Sequence, residues 1–144
     1  VHRREEFVDR VFGWVDVPWR KVGSTREGTN CLGLPVGVAR EMGGFNELVS
    51  LGEKMAMFDY PLTPRMMVDG MMGHMTCLKP EDAIPGDLLL FRVSGRPDHV
   101  VVVTALTPLR FVHSQMERER KVRPSTLPMG WIPVGAFRIE DLDE

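Results

Sequence analysis

Gly28-Thr29-Asn30-Cys31-Leu32-Gly33-Leu34 decides how the rest of this chain is read. It ends a polar, glycine-containing loop and opens an apolar run: Leu32, Leu34, Val36, Val38, Ala39 and Met42. Apolar residues on several sides mark a helix buried in a core. Pro35 would break a helix interior, but first-turn N–H groups have no intrahelical acceptor to lose. The spacing therefore predicts a helix that starts at or just before Cys31 and stops at Gly43-Gly44. A thiol at that junction meets outward-pointing N–H groups and the positive end of the helix dipole, which both favour thiolate. Two roles are open to such a residue: an activated nucleophile, or a small buried cysteine that packs the helix start.

Upstream, Val8, Val11, Phe12 and Val15 recur at helical spacing, so Glu5 to Trp14 reads as an amphipathic helix. Pro18 then forces an extended path into the polar loop from Ser24 to Asn30. Downstream, residues 45–64 allow one or two short helices with a turn at Tyr60-Pro61. Arg65 to Met75 reads as a methionine-rich helix whose methionines fill the core. The second half changes period. Leu88 to Val93, His99 to Ala105, Arg110 to Gln115, Lys121 to Arg123 and Trp131 to Ile139 read as strands with short connections. His99-Val100-Val101-Val102-Val103 is apolar on both faces and belongs in the middle of a sheet. Helices first and consecutive strands afterwards predict an α+β fold with an antiparallel sheet.

The 144 residues correspond to one domain, 1–144. Apolar residues make up 43% and charged residues 26%, the balance of a soluble globular chain. A net charge of −2 gives no footprint for nucleic acid, and the mixed-sign run Glu117 to Lys121 reads as a solvated face. No stretch is long and apolar enough for membrane insertion, and the charged start is not that of a signal peptide. The acidic tail Glu140 to Glu144 is expected to fray. Cys31 and Cys77 are the only cysteines, too few for a disulfide framework.

Two of the four histidines fall on neighbouring strands. If Leu106-Thr107-Pro108 is a three-residue loop, Val101 faces His113 and His99 faces Gln115. Both histidines then share a face within side-chain reach. A loop of two or four residues would separate them. With Cys31 opposite, His99 is placed to take the thiol proton, and His113 to fix the tautomer and ring plane of His99. Backbone N–H groups at the helix start, Leu32 among them, would stabilise an oxyanion. The alternative is a pair of core histidines satisfied by backbone carbonyls. A zinc site drawing on His74-x-x-Cys77 is a competing arrangement, without the second close-spaced ligand pair usual for structural zinc.

The motifs, taken in order, resemble the NlpC-type papain-like cysteine peptidases, and within them the cell-wall peptidases of phage tails and gene-transfer agents. Val17-Pro18-Trp19-Arg20-Lys21-Val22-Gly23-Ser24 resembles the family's "PY-x-x-GG/GS" approach. Asn30-Cys31-Leu32-Gly33-Leu34 resembles "DCLGL", followed by a "V-x-x-V-x-RE" helix echoed in Val36 to Glu41. Pro85 to Phe91 resembles "PGDLLLF", and His99-Val100 resembles "HVGI". Phe111-Val112-His113-Ser114 resembles "FIHA", and Val134-Gly135-Ala136-Phe137-Arg138 resembles "VGAFR".

The resemblance implies an NlpC-type papain-like fold with Cys31 as nucleophile, His99 as base and His113 as the orienting third residue. Trp19, Asn30 and Leu32 would surround the oxyanion and substrate. It implies hydrolysis of stem-peptide amides in bacterial peptidoglycan, typically between D-γ-glutamyl and a diamino acid, with no metal and no cofactor. The expected setting is the tail of a phage or phage-like particle, with tail-hub or tail-tip proteins as partners and the host cell wall as the site of action. The turn Gly86-Asp87 would be structural. This chain departs from the pattern at Asn30, where the family has Asp, at Trp19, where it has Tyr, and at Val101, where it has Gly. The Asn30 and Trp19 departures motivate a second reading, a structural tail-hub or tail-tip subunit whose site has drifted.

Overall fold

Among the described residues, six strands make one antiparallel sheet in the order β3-β8-β4-β5-β6-β7. They are β3 (Thr76–Leu78), β4 (Leu88–Arg92), β5 (Pro97–Leu106), β6 (Leu109–Ser114), β7 (Val122–Thr126) and β8 (Ile132–Arg138). Among the described residues, four α-helices precede all six: α1 (Arg3–Phe12), α2 (Gly33–Met42), α3 (Asn46–Ala56) and α4 (Pro64–His74). A two-stranded hairpin, β1 (Ser24–Thr25) and β2 (Gly28–Thr29), leads into α2. This computed structural model describes residues 3–56, 63–93, 95, 97–116 and 118–143; the Tyr60-Pro61 turn lies outside them. The α+β reading holds, and β5 lies between β4 and β6 as its two apolar faces require.

Period-two alternation splits the sheet between two cores. Leu88, Leu90, Val100, Val102 and Val112 turn to the helices, where they meet Phe7, Leu34, Val38 and Met71. Leu89, Phe91, Val101, Val103 and Phe111 form a second cluster on the opposite face, closed by Trp131. α2 is buried nearly all round, from Gly33 to Ala39, as its apolar pattern predicts. Met67, Met71 and Met75 are core-filling as expected, while Met72 is exposed.

Several expectations need correction. The buried face of α1 is Phe7 and Val11, continued by Trp14, and Phe12 is exposed. The helix ends before Gly13, so Val15 never joins its apolar stripe. The loop from Ser24 to Asn30 contains the β1–β2 hairpin, and Thr76–Leu78 forms an edge strand that short length had hidden. Trp131 precedes β8 rather than belonging to it. The acidic tail is docked: Leu142 is fully buried, and Arg4 binds Asp143 at 2.6 Å. An apolar side chain among acids is enough to anchor a chain end that charge alone would leave in solvent.

Asp87 explains the turn before β4. It is fully buried and accepts from Arg4 at 3.0 Å, from Arg138 at 2.8 Å and from the Ile84 N–H at 2.9 Å. A buried carboxylate is tolerable only with such partners. The contacts join α1, the turn and the end of β8, which fixes the strand leading to His99.

Candidate active site

The loop carrying Cys31 is held by its own polar groups. Asn30 Oδ1 accepts from the Gly33 N–H at 2.7 Å, and Asn30 Nδ2 donates to the Lys21 carbonyl at 3.0 Å. The Leu34 N–H reaches the Asn30 carbonyl at 3.3 Å, the first helical bond of α2. The helix proper begins at Gly33, two residues later than the sequence suggests, with Pro35 inside its first turn. Gly33 is required there: a Cβ would lie 1.9 Å from the Gly23 carbonyl oxygen and 2.7 Å from Thr29 Oγ1. Asn30 therefore caps and braces the Cys31 loop with both ends of its amide.

The sheet supplies the histidines. His99 lies opposite Phe91 on β5, and His113 opposite Arg123 on β6. His99 Nε2 and His113 Nδ1 are 2.7 Å apart, with ring planes at 75°. The expected shared face is real, but the expected loop is not. Leu106 pairs directly with Leu109, leaving the two-residue turn Thr107-Pro108. A bulge between Val103 and Ala105 then shifts the register, so Val103 pairs with Phe111 and Val102 with Val112. The extra residue undoes the parity of the short turn and returns both histidines to one face.

Cys31, His99 and His113 line one cleft of about 460 Å³, together with Trp19, Asn30 and Leu32. Met55 of α3 and Met67 of α4 form the facing wall. The Val100 N–H at the start of β5 is directed at the Cys31 sulfur, as are the N–H groups of Leu32 and of Cys31 itself. Ser114 donates to the Thr29 carbonyl at 2.6 Å and locks β6 to the Cys31 loop.

The electrostatics overturn one expectation. Burial pushes the Cys31 thiol up, outweighing the three N–H groups, and the Asp98 carboxylate pushes it the same way. The sulfur touches the cleft yet packs against the core, so hydration of a thiolate is lost. Burial lowers His99 to about 3, helped by the neighbouring His113, and lowers His113 to about 4. Burial thus favours the neutral form of the thiol and of both imidazoles. Sequence reasoning weighed the helix dipole and had no means to weigh desolvation.

Three further residues belong to this cleft. Trp131 packs edge-on against His99 at 5.1 Å and His113 at 5.7 Å, and stacks on Phe111 at 6.0 Å. The register shift between Leu90 and Phe91 on β4 brings the start of β8 to this place, and nothing local in the sequence announces it. Gln115 Nε2 lies 3.3 Å from His113 Nε2. Asp98 Oδ1 is buried with no hydrogen-bond partner among the described residues.

The His74–Cys77 pair stays outside this cleft. His74 bridges α3 and α4 through Glu47 at 3.1 Å and Lys54 at 3.0 Å, and Cys77 is exposed on β3. Among the described residues no three His, Cys, Asp or Glu side chains are grouped to hold a metal. Among them, too, no helix is long and apolar enough to cross a membrane.

No family model and no curated protein matches the sequence. Solved structures do match the fold. The NlpC/p60 domain of the peptidoglycan hydrolase SagA superposes with a TM-score of 0.64 at 17% identity, over 93% of this chain and 97% of that one. NlpC2 from Trichomonas vaginalis superposes with a TM-score of 0.65 at 14% identity, over 96% of this chain. This chain spans about half of NlpC2, 48%. The fold is thus the α+β, papain-like NlpC/p60 fold.

Proposed function

We propose that this chain is a cysteine peptidase of the bacterial cell wall, with Cys31 as nucleophile, His99 as general base and His113 as orienting residue. The observation that carries this reading is the 2.7 Å His99–His113 bond in the cleft that Cys31 lines. Because His99 Nε2 is engaged by His113, Nδ1 is the nitrogen left for the thiol proton. The sulfur attacks the amide carbon as that proton moves to His99. The N–H groups of Cys31 and Leu32 stabilise the oxyanion, and His99 then protonates the leaving amine. Water, activated by the same imidazole, hydrolyses the thioester and frees Cys31.

A neutral resting thiol fits this general-base route, in which charge separates only as substrate excludes water. The substrate class is the stem peptide of peptidoglycan, supported by the fold shared with a peptidoglycan hydrolase domain and by the ordered motifs. Within that class, the amide between D-γ-glutamyl and a diamino acid is the proposed scissile bond. The proposed setting is a phage or phage-like tail, where tail-hub or tail-tip proteins carry the domain to the host cell wall; the Val134-Gly135-Ala136-Phe137-Arg138 terminus supports that branch. Digestion of purified muropeptides, followed by mass spectrometry of the products, tests the activity and the bond.

A second reading has its own support. The upward shift of Cys31 and the downward shift of both histidines oppose an ion pair at rest, as in a tail subunit that keeps the fold without turnover. Failure of wild-type protein to cleave any muropeptide favours it.

A further inference from the structure

We propose that Gln115 sets the tautomer of the His99–His113 pair and so decides whether His99 can act as a base. The inference rests on the peptidase reading of the cleft for its consequence, and on geometry alone for the tautomer.

His99 presents Nε2 to His113 Nδ1 at 2.7 Å. To receive the thiol proton at Nδ1, His99 must carry its own proton on Nε2 and donate it. His113 Nδ1 is then the acceptor and carries no proton. A neutral His113 must in turn hold its proton on Nε2, where it needs an acceptor. Burial holds both rings neutral near pH 7, so each has one N–H to place.

The atom at that position is Gln115 Nε2, the donor end of the side-chain amide, 3.3 Å from His113 Nε2. An amide offers opposite chemistry from its two ends, which exchange by a half-turn of the terminal torsion. With NH2 toward His113, the amide donates to a bare Nε2. His113 Nδ1–H then donates to His99 Nε2, and His99 is left with a proton on Nδ1. That tautomer cannot take a proton from Cys31. With Oε1 toward His113, every bond in the row reverses and His99 Nδ1 is bare. The competent site therefore has the Gln115 carbonyl oxygen facing His113, a half-turn of the terminal torsion from the amide orientation in the structure.

Gln115 is well placed to hold either orientation. Its backbone N–H reaches the Lys121 carbonyl at 3.4 Å across the β6–β7 connection, and its side chain lines the cleft. It touches neither sulfur nor scissile bond in this scheme. It acts through His113, as a positioning residue.

Long-range proton–nitrogen NMR of histidine-labelled protein at pH 7.5 tests this without substrate. The expected wild-type pattern is a protonated Nε2 and a bare Nδ1 on both His99 and His113. Gln115→Glu, which can only accept, keeps that pattern. Gln115→Met, which can do neither, loses its uniqueness. In muropeptide cleavage Gln115→Met lowers kcat about tenfold with KM little changed, the scale of one neutral hydrogen bond, and Gln115→Glu recovers most of the loss. A wild-type pattern with His113 protonated at Nδ1 overturns the proposal, as does a Gln115→Met protein with unchanged nitrogen shifts. If wild-type protein cleaves nothing but shows the expected pattern, the tautomer assignment stands and the peptidase reading falls.

Discussion

The Ser114 hydroxyl donates a 2.6 Å hydrogen bond to the Thr29 carbonyl, joining the residue after His113 to the residue two before Cys31. Both residues are buried. This bond crosses from the sheet to the Cys31 loop and ties the strand that carries His113 to the segment that carries the thiol. Ser114→Ala is expected to cost about 1–2 kcal/mol in urea unfolding. It should also lower kcat for muropeptide cleavage by more than it changes KM, because the loop and sheet lose register where the chemistry occurs. Stability loss with unchanged kcat would show that Ser114 only braces the fold.

Gly33→Ala tests the Cys31 loop itself. The new Cβ would meet the Gly23 carbonyl at 1.9 Å, a backbone atom that cannot rotate away. Roughly 3 kcal/mol of destabilisation is expected, at the upper end for overpacking. Thermal unfolding measures it, and a change below about 1 kcal/mol would mean the loop is not held as described.

Asp87→Asn should cost about 3–5 kcal/mol, since Arg4 and Arg138 lose their shared buried anion. The same variant should loosen the docking of the chain end, which amide hydrogen exchange around Ile139 and Leu142 would register. Leu142 is fully buried beside this ion group.

The histidine pair makes stability fall in mild acid. Both folded-state values are depressed, to about 3 and about 4, from an ordinary 6.5. The unfolded chain therefore binds more protons than the folded chain below pH 6.5, so stability is full above that value and declines as pH falls toward the folded values. At pH 5 each ring costs about 2 kcal/mol, or about 4 kcal/mol for the pair, relative to pH 8. Urea unfolding at the two pH values should show this loss in wild-type protein. A double variant, His99→Gln with His113→Gln, should show much less of it. Equal losses in both proteins would contradict the buried neutral pair.

Alkylation separates the two cysteines in the opposite sense to the sequence expectation. Burial raises the Cys31 thiol, so free Cys31 should react with iodoacetamide only at pH above that of an ordinary cysteine. Exposed Cys77 should be modified first at pH 7.5 in unliganded protein, as peptide mapping would show. Preferential labelling of Cys31 at that pH would mean its N–H groups outweigh its desolvation.

The sequence was most legible where one side chain has one structural solution. Pro35 located the first turn of α2, and the β-branched run from Val100 to Val103 placed β5 inside the sheet. Glycine and polar residues around Cys31 marked the loop that delivers it. Legibility failed where distant residues set the answer. The His99–His113 face came out right although the loop length was wrong, because a bulge compensated for the shorter turn. Trp131 reaches the histidines through a register shift between distant strands that no local pattern encodes, whereas Gln115, two residues beyond His113 on the same extended segment, was within reach of the period-two reading. The sign of the Cys31 shift depends on how many core atoms surround the sulfur, which only packing reveals.

Digestion of purified peptidoglycan by wild-type protein and by Cys31→Ala, read by mass spectrometry, tests the central claim most directly. Wild-type protein is expected to release stem-peptide fragments from one hydrolysed amide, and Cys31→Ala of equal thermal stability to release none. The same fragments from both proteins, or no fragments from wild-type protein, would contradict it.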